Sequence, residues 1–379
     1  MNPHHILSPR TTFLAITGLF LINVQTVMAA DNTFSLSGSY RNLYIYSRTT
    51  VDEDRYHLDS NRLRIEAKGE LSANFSYHIQ YDNHLLFGEY LSTGEFAALE
   101  AARDSLPSGQ YWNLEHEIKR EDELIWDHSI YRGYALIRQG DIDLTIGRQR
   151  VPWGKGGFWS PLDMFNPLSP TAIERDERDG VDAALLTISG GTVSSLSLLY
   201  IPQRDFLDST AARIVFPLVS YDIAVSAGRH MERGFAGLDF AGYLGDGGFY
   251  GELVSIEDIK GDQKFSYLFS GNYNFESSLY IMVEYFKSGG AKIPGSALGY
   301  SGKEYSGIQI SYDITPLTRW DNYLIVNLDD NSRFLSPALS YSLSDNMELK
   351  AGIQLFAGKS TAEYGDRQDI YYGDFSWYF

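Results

Sequence analysis

Residues 370–379 read IYYGDFSWYF, and nothing follows Phe379. Phe375, Trp377 and Phe379 fall on one parity; Asp374, Ser376 and Tyr378 fall on the other. Strict alternation is the mark of a β-strand with one apolar face. A chain end frays in water, so a terminal row of large apolar side chains needs an apolar surround. A strand that closes a membrane barrel has one, because it pairs with the first strand and turns its aromatic row to lipid. The matching first strand is FSLSGSYRNLYIY, 34–46.

The same period runs through the chain. RLRIEAKGEL, 62–71, sets Leu63, Ile65, Ala67, Gly69 and Leu71 against Arg62, Arg64, Glu66, Lys68 and Glu70. NFSYHIQYDNHL, 74–85, and MELKAGIQLFA, 347–357, alternate in the same way. Eighteen such segments are expected: 34–46, 60–71, 74–85, 124–138, 141–149, 180–189, 192–201, 210–217, 219–229, 234–244, 247–256, 264–275, 278–288, 304–313, 319–328, 333–343, 346–357 and 368–379. Most are long enough for the roughly nine to eleven tilted residues that cross a bilayer. The links sort by parity, with tight turns such as SAN (72–74), QGD (139–141) and SDN (344–346) on one side and most of the long links, 47–59, 86–123, 150–179, 289–303 and 358–367, on the other; the links near 230–233 and 329–332 are short exceptions on the long side. A soluble sandwich has no reason to segregate loop length this way. An outer-membrane barrel does, with short periplasmic turns and long extracellular loops. The expected fold is therefore all-β, a transmembrane antiparallel barrel of about 18 strands over residues 31–379, with the 150–179 loop folded inward.

Residues 1–30 have the form of a secretory signal: Arg10, the apolar run FLAITGLFLINV, and small residues Val27 and Ala29 before a cleavage point at Ala30 or Asp31. The expected location is the outer membrane of a Gram-negative bacterium. The chain has no cysteine, which excludes disulfides, thiolate metal sites and cysteine nucleophiles. A net charge of −18 opposes nucleic acid as a partner. Tyr 27 and Phe 21 against Pro 12 is a composition of strand formers.

Two insertions break the period. STGEFAALEAARD, 92–104, carries a capping box of Ser92 and Glu95 ahead of one short helix. The second, 146–183, contains GRQRVPWGKGGFWSPLDMFNPLSP followed by AIERDERDGVDA after Thr171. Gly154, Gly156 and Gly157 permit tight turns beside Trp153, Phe158 and Trp159. Ser160-Pro161 and Ser169-Pro170 are candidate helix starts, with Thr171 and Glu174 supporting the second. So aromatic a loop is expected to fold against the wall or into the lumen. There it either narrows a pore or serves only as a packing plug. Trp153, Trp159, Asp163, Arg175, Asp176 and Arg178 are the candidates for lining or anchoring it.

GRQRVPWG with FWSPLDMFNPLSP and the charged stretch after it resembles a motif of bacterial outer-membrane porin-like barrels of the alginate-export type and their relatives. The resemblance implies a porin-like channel, and in porins generally the loop after the fifth strand often forms the constriction. The terminal Phe375, Trp377 and Phe379 resemble the tail by which outer-membrane proteins are recognised by the barrel-assembly machinery.

Arg62, Arg64 and Lys68, joined by Arg132, Arg148 and Arg150, are expected to make a basic ladder in the lumen, or to pair with Glu66, Glu70, Asp127 and Asp143 as a wall network. Glu174, Asp176, Glu177, Asp179 and Asp182 oppose anion passage if they face the pore. His78, Asp82 and His84 share a face, but the two histidines stand ~20 Å apart along the strand, too far for one metal. No catalytic, cofactor or metal set emerges. The first functional expectation is a non-enzymatic channel for passive diffusion of small hydrophilic solutes or ions. The second is a barrel sheath or export component holding a partner such as a multihaem cytochrome or a polysaccharide export system. The third is an outer-membrane hydrolase. The partners expected are bilayer lipid, the assembly machinery and small solutes, with a homotrimer left open.

Overall fold

In the computed structural model the structure describes residues 34–105, 110–167, 169–175, 177–191, 193–204, 206–258, 260–290 and 301–379. The signal segment 1–30 and Asp176 lie outside the described residues. All eighteen expected strands form, and one more appears. In chain order they are β1 (Phe34–Arg48), β2 (Arg55–Ser72), β3 (Phe75–Phe87), β4 (Glu115–Glu121), β5 (Leu124–Gln139), β6 (Ile142–Gln149), β7 (Val181–Ser189), β8 (Ser195–Ile201), β9 (Ser209–Leu218) and β10 (Tyr221–His230). They continue with β11 (Arg233–Leu244), β12 (Gly247–Glu257), β13 (Gln263–Asn274), β14 (Leu279–Lys287), β15 (Glu304–Thr315), β16 (Thr318–Asn327), β17 (Arg333–Ser344), β18 (Met347–Ala357) and β19 (Ile370–Tyr378).

Every wall strand pairs antiparallel with its neighbours, and β1 pairs with both β2 and β19. The sheet therefore closes on itself, with eighteen strands in the wall and β4 beside it. Closure leaves no edge of unpaired backbone, the condition a barrel must meet in an apolar surround. The seam is continuous to the last residue: Phe379 N–H donates to Gly38 O at 3.0 Å, and Gly38 N–H returns the bond at 2.8 Å. Phe375 and Trp377 face outward opposite Asn42 and Tyr40.

The alternation sets the two faces. Ile79, Ile146, Val225, Leu253, Val283 and Leu349 stand exposed on the outer face. Along β2, Arg62 and Arg64 turn inward to meet His84 and Asp82 of β3, while Leu63 and Ile65 turn outward. Glu66, Lys68 and Glu70 share the parity of Arg62 and Arg64. Glu66 pairs with Lys68 and accepts from Gln80, and Glu70 is exposed toward the short-turn end.

The 86–123 insertion holds more than the expected helix. Helix α1 (Gly94–Ser105) forms, but its cap is Thr93, whose Oγ1 accepts from Phe96 N–H at 3.1 Å. Ser92 instead donates to Glu89 O, and Glu95 accepts from Thr50 N–H at 2.6 Å. Strand β4 pairs with residues 124–129 of β5, the stretch that β6 leaves open because it pairs only with 133–139. Its sequence, EHEIKRE, has one apolar residue and gives no alternation to read.

Residues 110–113 leading into β4 cover the outer face of the wall. Arg148 and Asp182 carry the outward parity of Ile146 and Ala184, and their side chains are 4% and 0% exposed. Arg148 binds Asp182 with Nε at 2.9 Å and Nη2 at 3.0 Å, and Trp112 bonds to both through its backbone. The lumen ladder therefore does not include Arg148, nor the lumen acids Asp182. Each would be a costly lone charge, and together they make a buried, fully bonded pair.

Candidate functional site

The 150–180 loop folds into the barrel and lies along one half of its inner wall. That half is largely apolar on its inner face as well as its outer one, with a buried Arg213–Asp239 pair set among the apolar side chains. Trp153, Leu162, Met164 and Phe165 pack against Ile201, Phe235, Val254 and Ile256. Phe158 and Trp159 pack against Leu268, Met282, Phe286, Tyr305, Ile325 and Phe334. Trp159 stacks on Phe286 with ring centroids 5.6 Å apart, and Phe158 meets Tyr323 edge-on at 5.9 Å. Burial of each such side chain contributes about 1.5–3 kcal/mol. The wall is cut to receive them: a Cβ on Gly307 would lie 2.6 Å from the Phe158 ring, and one on Gly237 would lie 2.2 Å from Leu162.

Two wall carboxylates fix the loop backbone. Glu252 on β12 accepts from the N–H groups of Lys155 (2.5 Å), Gly156 (2.8 Å) and Leu162 (3.0 Å), and from Ser160 Oγ. Glu284 on β14 accepts from Gly157, Phe158 and Trp159, each at 2.9 Å. Both carboxylates are buried, so these charge-assisted bonds are what permits them there. The loop winds tightly enough to reach them because Gly154 takes a φ of 123° and a Cβ on Gly156 would fall 1.5 Å from Trp159 O. The expected helix starts at Ser160 and Ser169 make only single turns, closed by Asp163 N–H to Ser160 O and Ala172 N–H to Ser169 O. The Ser160 hydroxyl is engaged by Glu252 and does not cap a helix.

The far end of the loop crosses to the polar half of the wall. Arg62 meets Glu174 at 3.0 Å and Glu177 at 3.1 Å; Arg64 grips Asp82 at two points, 2.6 Å each, and Glu177 at 3.1 Å. Arg41 on β1, absent from the expected ladder, pairs with Glu174 and with Asp374, whose Oδ1 accepts from Nε at 2.9 Å. A bulge in β5 adds Tyr131 beside Arg132. The Tyr131 ring lies under Arg64 at 3.9 Å and Arg132 at 4.2 Å, and its hydroxyl accepts from Arg178 N–H and donates to Arg178 O at 2.8 Å. Arg178 pairs with Asp163, and Arg175 lies over Phe158 (4.8 Å) and Tyr323 (4.4 Å).

Trp153, Trp159 and Asp163 are thus buried anchors, while Arg175 and Arg178 border open space. Burial pushes the Asp163 carboxyl up to about 7, with Arg178 pulling the other way. Burial also raises the Glu177 carboxyl, but Arg62 and Arg64 outweigh it and leave the group below its ordinary range. The wall network expected from sequence reduces to Lys68 with Glu66; Asp127 meets His84 at 3.2 Å and Asp143 meets Arg138 at 3.0 Å.

Three spaces flank the loop on its polar side. One of about 240 Å³ touches Arg41, Arg62, His84 and Glu174. A second, about 260 Å³, lies between Arg175, Arg178, Gln309, Lys350 and Gln354. A third, about 490 Å³, is lined by His78, Gln80, Arg132, Arg150 and Thr187 toward the short-turn end. These spaces border β1–β3, β5–β7 and β15–β19, while the apolar part of the loop packs mainly on β8–β17.

A closed, eighteen-stranded antiparallel wall with an inward loop defines the fold class: a porin-type β-barrel. No protein-family model matches the chain, and no curated protein does. Solved structures match it over nearly their whole length. A BenF-like porin from Pseudomonas fluorescens Pf-5 superposes with a TM-score of 0.60 at 10% identity, covering 91% of this chain and 98% of that one. Pseudomonas aeruginosa OccK5 (OpdH) gives 0.58 at 11% identity, covering 92% and 97%. Acinetobacter baumannii OccAB1 gives 0.55 at 13%, covering 91% and 96%. Likeness at such identities establishes the fold.

Proposed function

We propose that the chain is a non-enzymatic channel of a Gram-negative outer membrane, passing small hydrophilic solutes or ions by diffusion through the crescent of lumen between the loop and the β17–β7 wall. One observation carries the reading: most of the loop lies on the apolar half of the inner wall, and where its far end crosses to the polar half, charged and amide side chains line spaces of about 240, 260 and 490 Å³. Polar lining with a charged constriction is how such pores conduct and select. The likeness of 147–170 to alginate-export-type barrels supports it, since that stretch belongs to the loop folded into the lumen. The fold shared with the BenF-like porin of P. fluorescens supports the same class of function.

The sheath reading has less room. A lumen that holds its own loop, tied to both halves of the wall, leaves little width for a folded cytochrome. Export would be directed by the signal at 1–30, and assembly by the terminal Phe375, Trp377 and Phe379. The test is reconstitution of the full-length mature protein in planar bilayers and in liposomes. Discrete ohmic conductance steps and swelling in small sugars are expected. A folded barrel that conducts no ions and admits no sugar would contradict the proposal.

A further inference from the structure

We infer that the loop glutamates, Glu177 foremost with Glu174 beside it, set the ion preference of the pore; the inference rests on the channel reading above. Arg62 and Arg64 lie two residues apart on the inward face of β2, and the register sets Arg41 directly across from Arg62. Like charges opposed on neighbouring strands repel, so the row needs counter-charge. The wall supplies part of it: Asp82 holds Arg64, and Asp374 holds Arg41. The β3 neighbour of Arg62 is His84, which is no carboxylate. The carboxylates that meet Arg62 both come from the loop, Glu174 at 3.0 Å and Glu177 at 3.1 Å. Glu177 also touches Arg64 with both oxygens, and Glu174 reaches Arg41.

Three guanidiniums against two wall carboxylates leave one positive charge in surplus, and Arg132, on the same Tyr131 ring as Arg64, adds a second. The two loop glutamates cancel that surplus. These groups face open space: Glu174 and Glu177 side chains are each 27% exposed, and Glu174, Arg41 and Arg62 border the same cavity. A passing ion therefore meets a field whose sign the loop decides. The arginine row, read alone, implies a pore for anions; with Glu174 and Glu177 docked, the wild type holds no anion preference.

Reversal potentials across a KCl gradient test this. The wild type is expected to be unselective or to favour potassium. Glu174→Gln with Glu177→Gln should raise the chloride-to-potassium permeability ratio roughly threefold or more, because removing two charges at contact distance changes an ion's energy by more than its thermal energy. Neutral polymers should be excluded at the same size as before. Arg62→Gln should move the reversal potential the opposite way, and it carries the test alone if the double variant does not fold. A chloride-preferring wild type, or variants that leave the reversal potential unmoved while larger polymers enter, would overturn the inference and make the glutamates mere ties. A wild type that conducts no ions would overturn the channel reading and this inference with it.

Discussion

Replacing Glu284 by alanine is expected to release the inward loop and widen the pore. The carboxylate is 0% exposed, and its two oxygens serve the amides of Gly157, Phe158 and Trp159. An N–H stranded in buried surroundings costs about 1–3 kcal/mol, so three of them weaken loop docking by something on the order of 5 kcal/mol. The barrel itself loses no ladder bond, because the backbone of β14 stays paired with β13 and β15. Released, the loop should expose Lys155, Arg175 and Arg178 to trypsin. Single-channel records should then show larger and noisier steps, and larger neutral polymers should enter. Glu252→Ala should act in the same direction, since it removes the acceptor for Lys155, Gly156 and Leu162. A Glu284→Ala barrel with wild-type conductance and an uncut loop would show that the apolar bed alone holds the loop.

Removing residues 375–379 is expected to abolish the closed barrel. Those residues pair with 39–42 of β1 on one side and with 347–349 of β18 on the other, and Phe379 ends the seam against Gly38. Their loss leaves two unpaired edges, and each backbone group stranded in hydrocarbon costs several kcal/mol. The closed wild-type barrel is expected to resist unfolding by detergent until heated, because it leaves no unpaired backbone edge. The truncated chain should migrate as unfolded material without heating. Tyr378→Ala changes a 56%-exposed side chain and leaves the backbone in place, so it should keep the heat-dependent shift. Gly38→Val should lie between the two, because a Cβ there would sit 2.7 Å from the Phe379 ring and from Arg64 O. A truncated chain that retains the shift would remove the terminal residues from the closure.

The wall was legible because alternation is a local signal repeated eighteen times, and because loop length carries a second, independent register. Strand β4 was not. EHEIKRE has no apolar row, and it exists as a strand only because β5 outruns β6 and offers an open edge. The inward position of the 150–180 loop was legible in Trp153, Phe158 and Trp159, which need burial. What receives them was present but unread: β12 and β14 carry Val254, Ile256, Met282 and Phe286 on the lumen parity, alongside Leu253 and Val283 outside. A strand apolar on both faces is covered on both. A lone Glu among such residues, as at 252 and 284, marks a carboxylate with assured partners.

The facing of Arg148 followed from its parity with Ile142, Leu144 and Ile146, yet a charged residue on the outer face made the lumen seem the natural place. Its cover, residues 110–113, comes from a distant insertion that no local pattern connects to it. The serine-proline pairs failed as helix starts for a related reason. At Ser160 the hydroxyl and the Leu162 amide are both taken by Glu252, a wall carboxylate far along the chain.

The most direct measurement is the single-channel conductance of the barrel with residues 154–176 excised, compared with the wild type in the same bilayer. The excision can close without strain on the wall, because Gln149 and Val181 are paired neighbours and the eight residues left between β6 and β7 suffice for a hairpin link. It also opens Glu252 and Glu284 to water, so neither remains a buried lone charge. The loop-narrowed crescent predicts a severalfold larger conductance in a barrel that still shows its heat-dependent shift. An equally folded excision barrel with unchanged conductance would mean that ions never pass the loop.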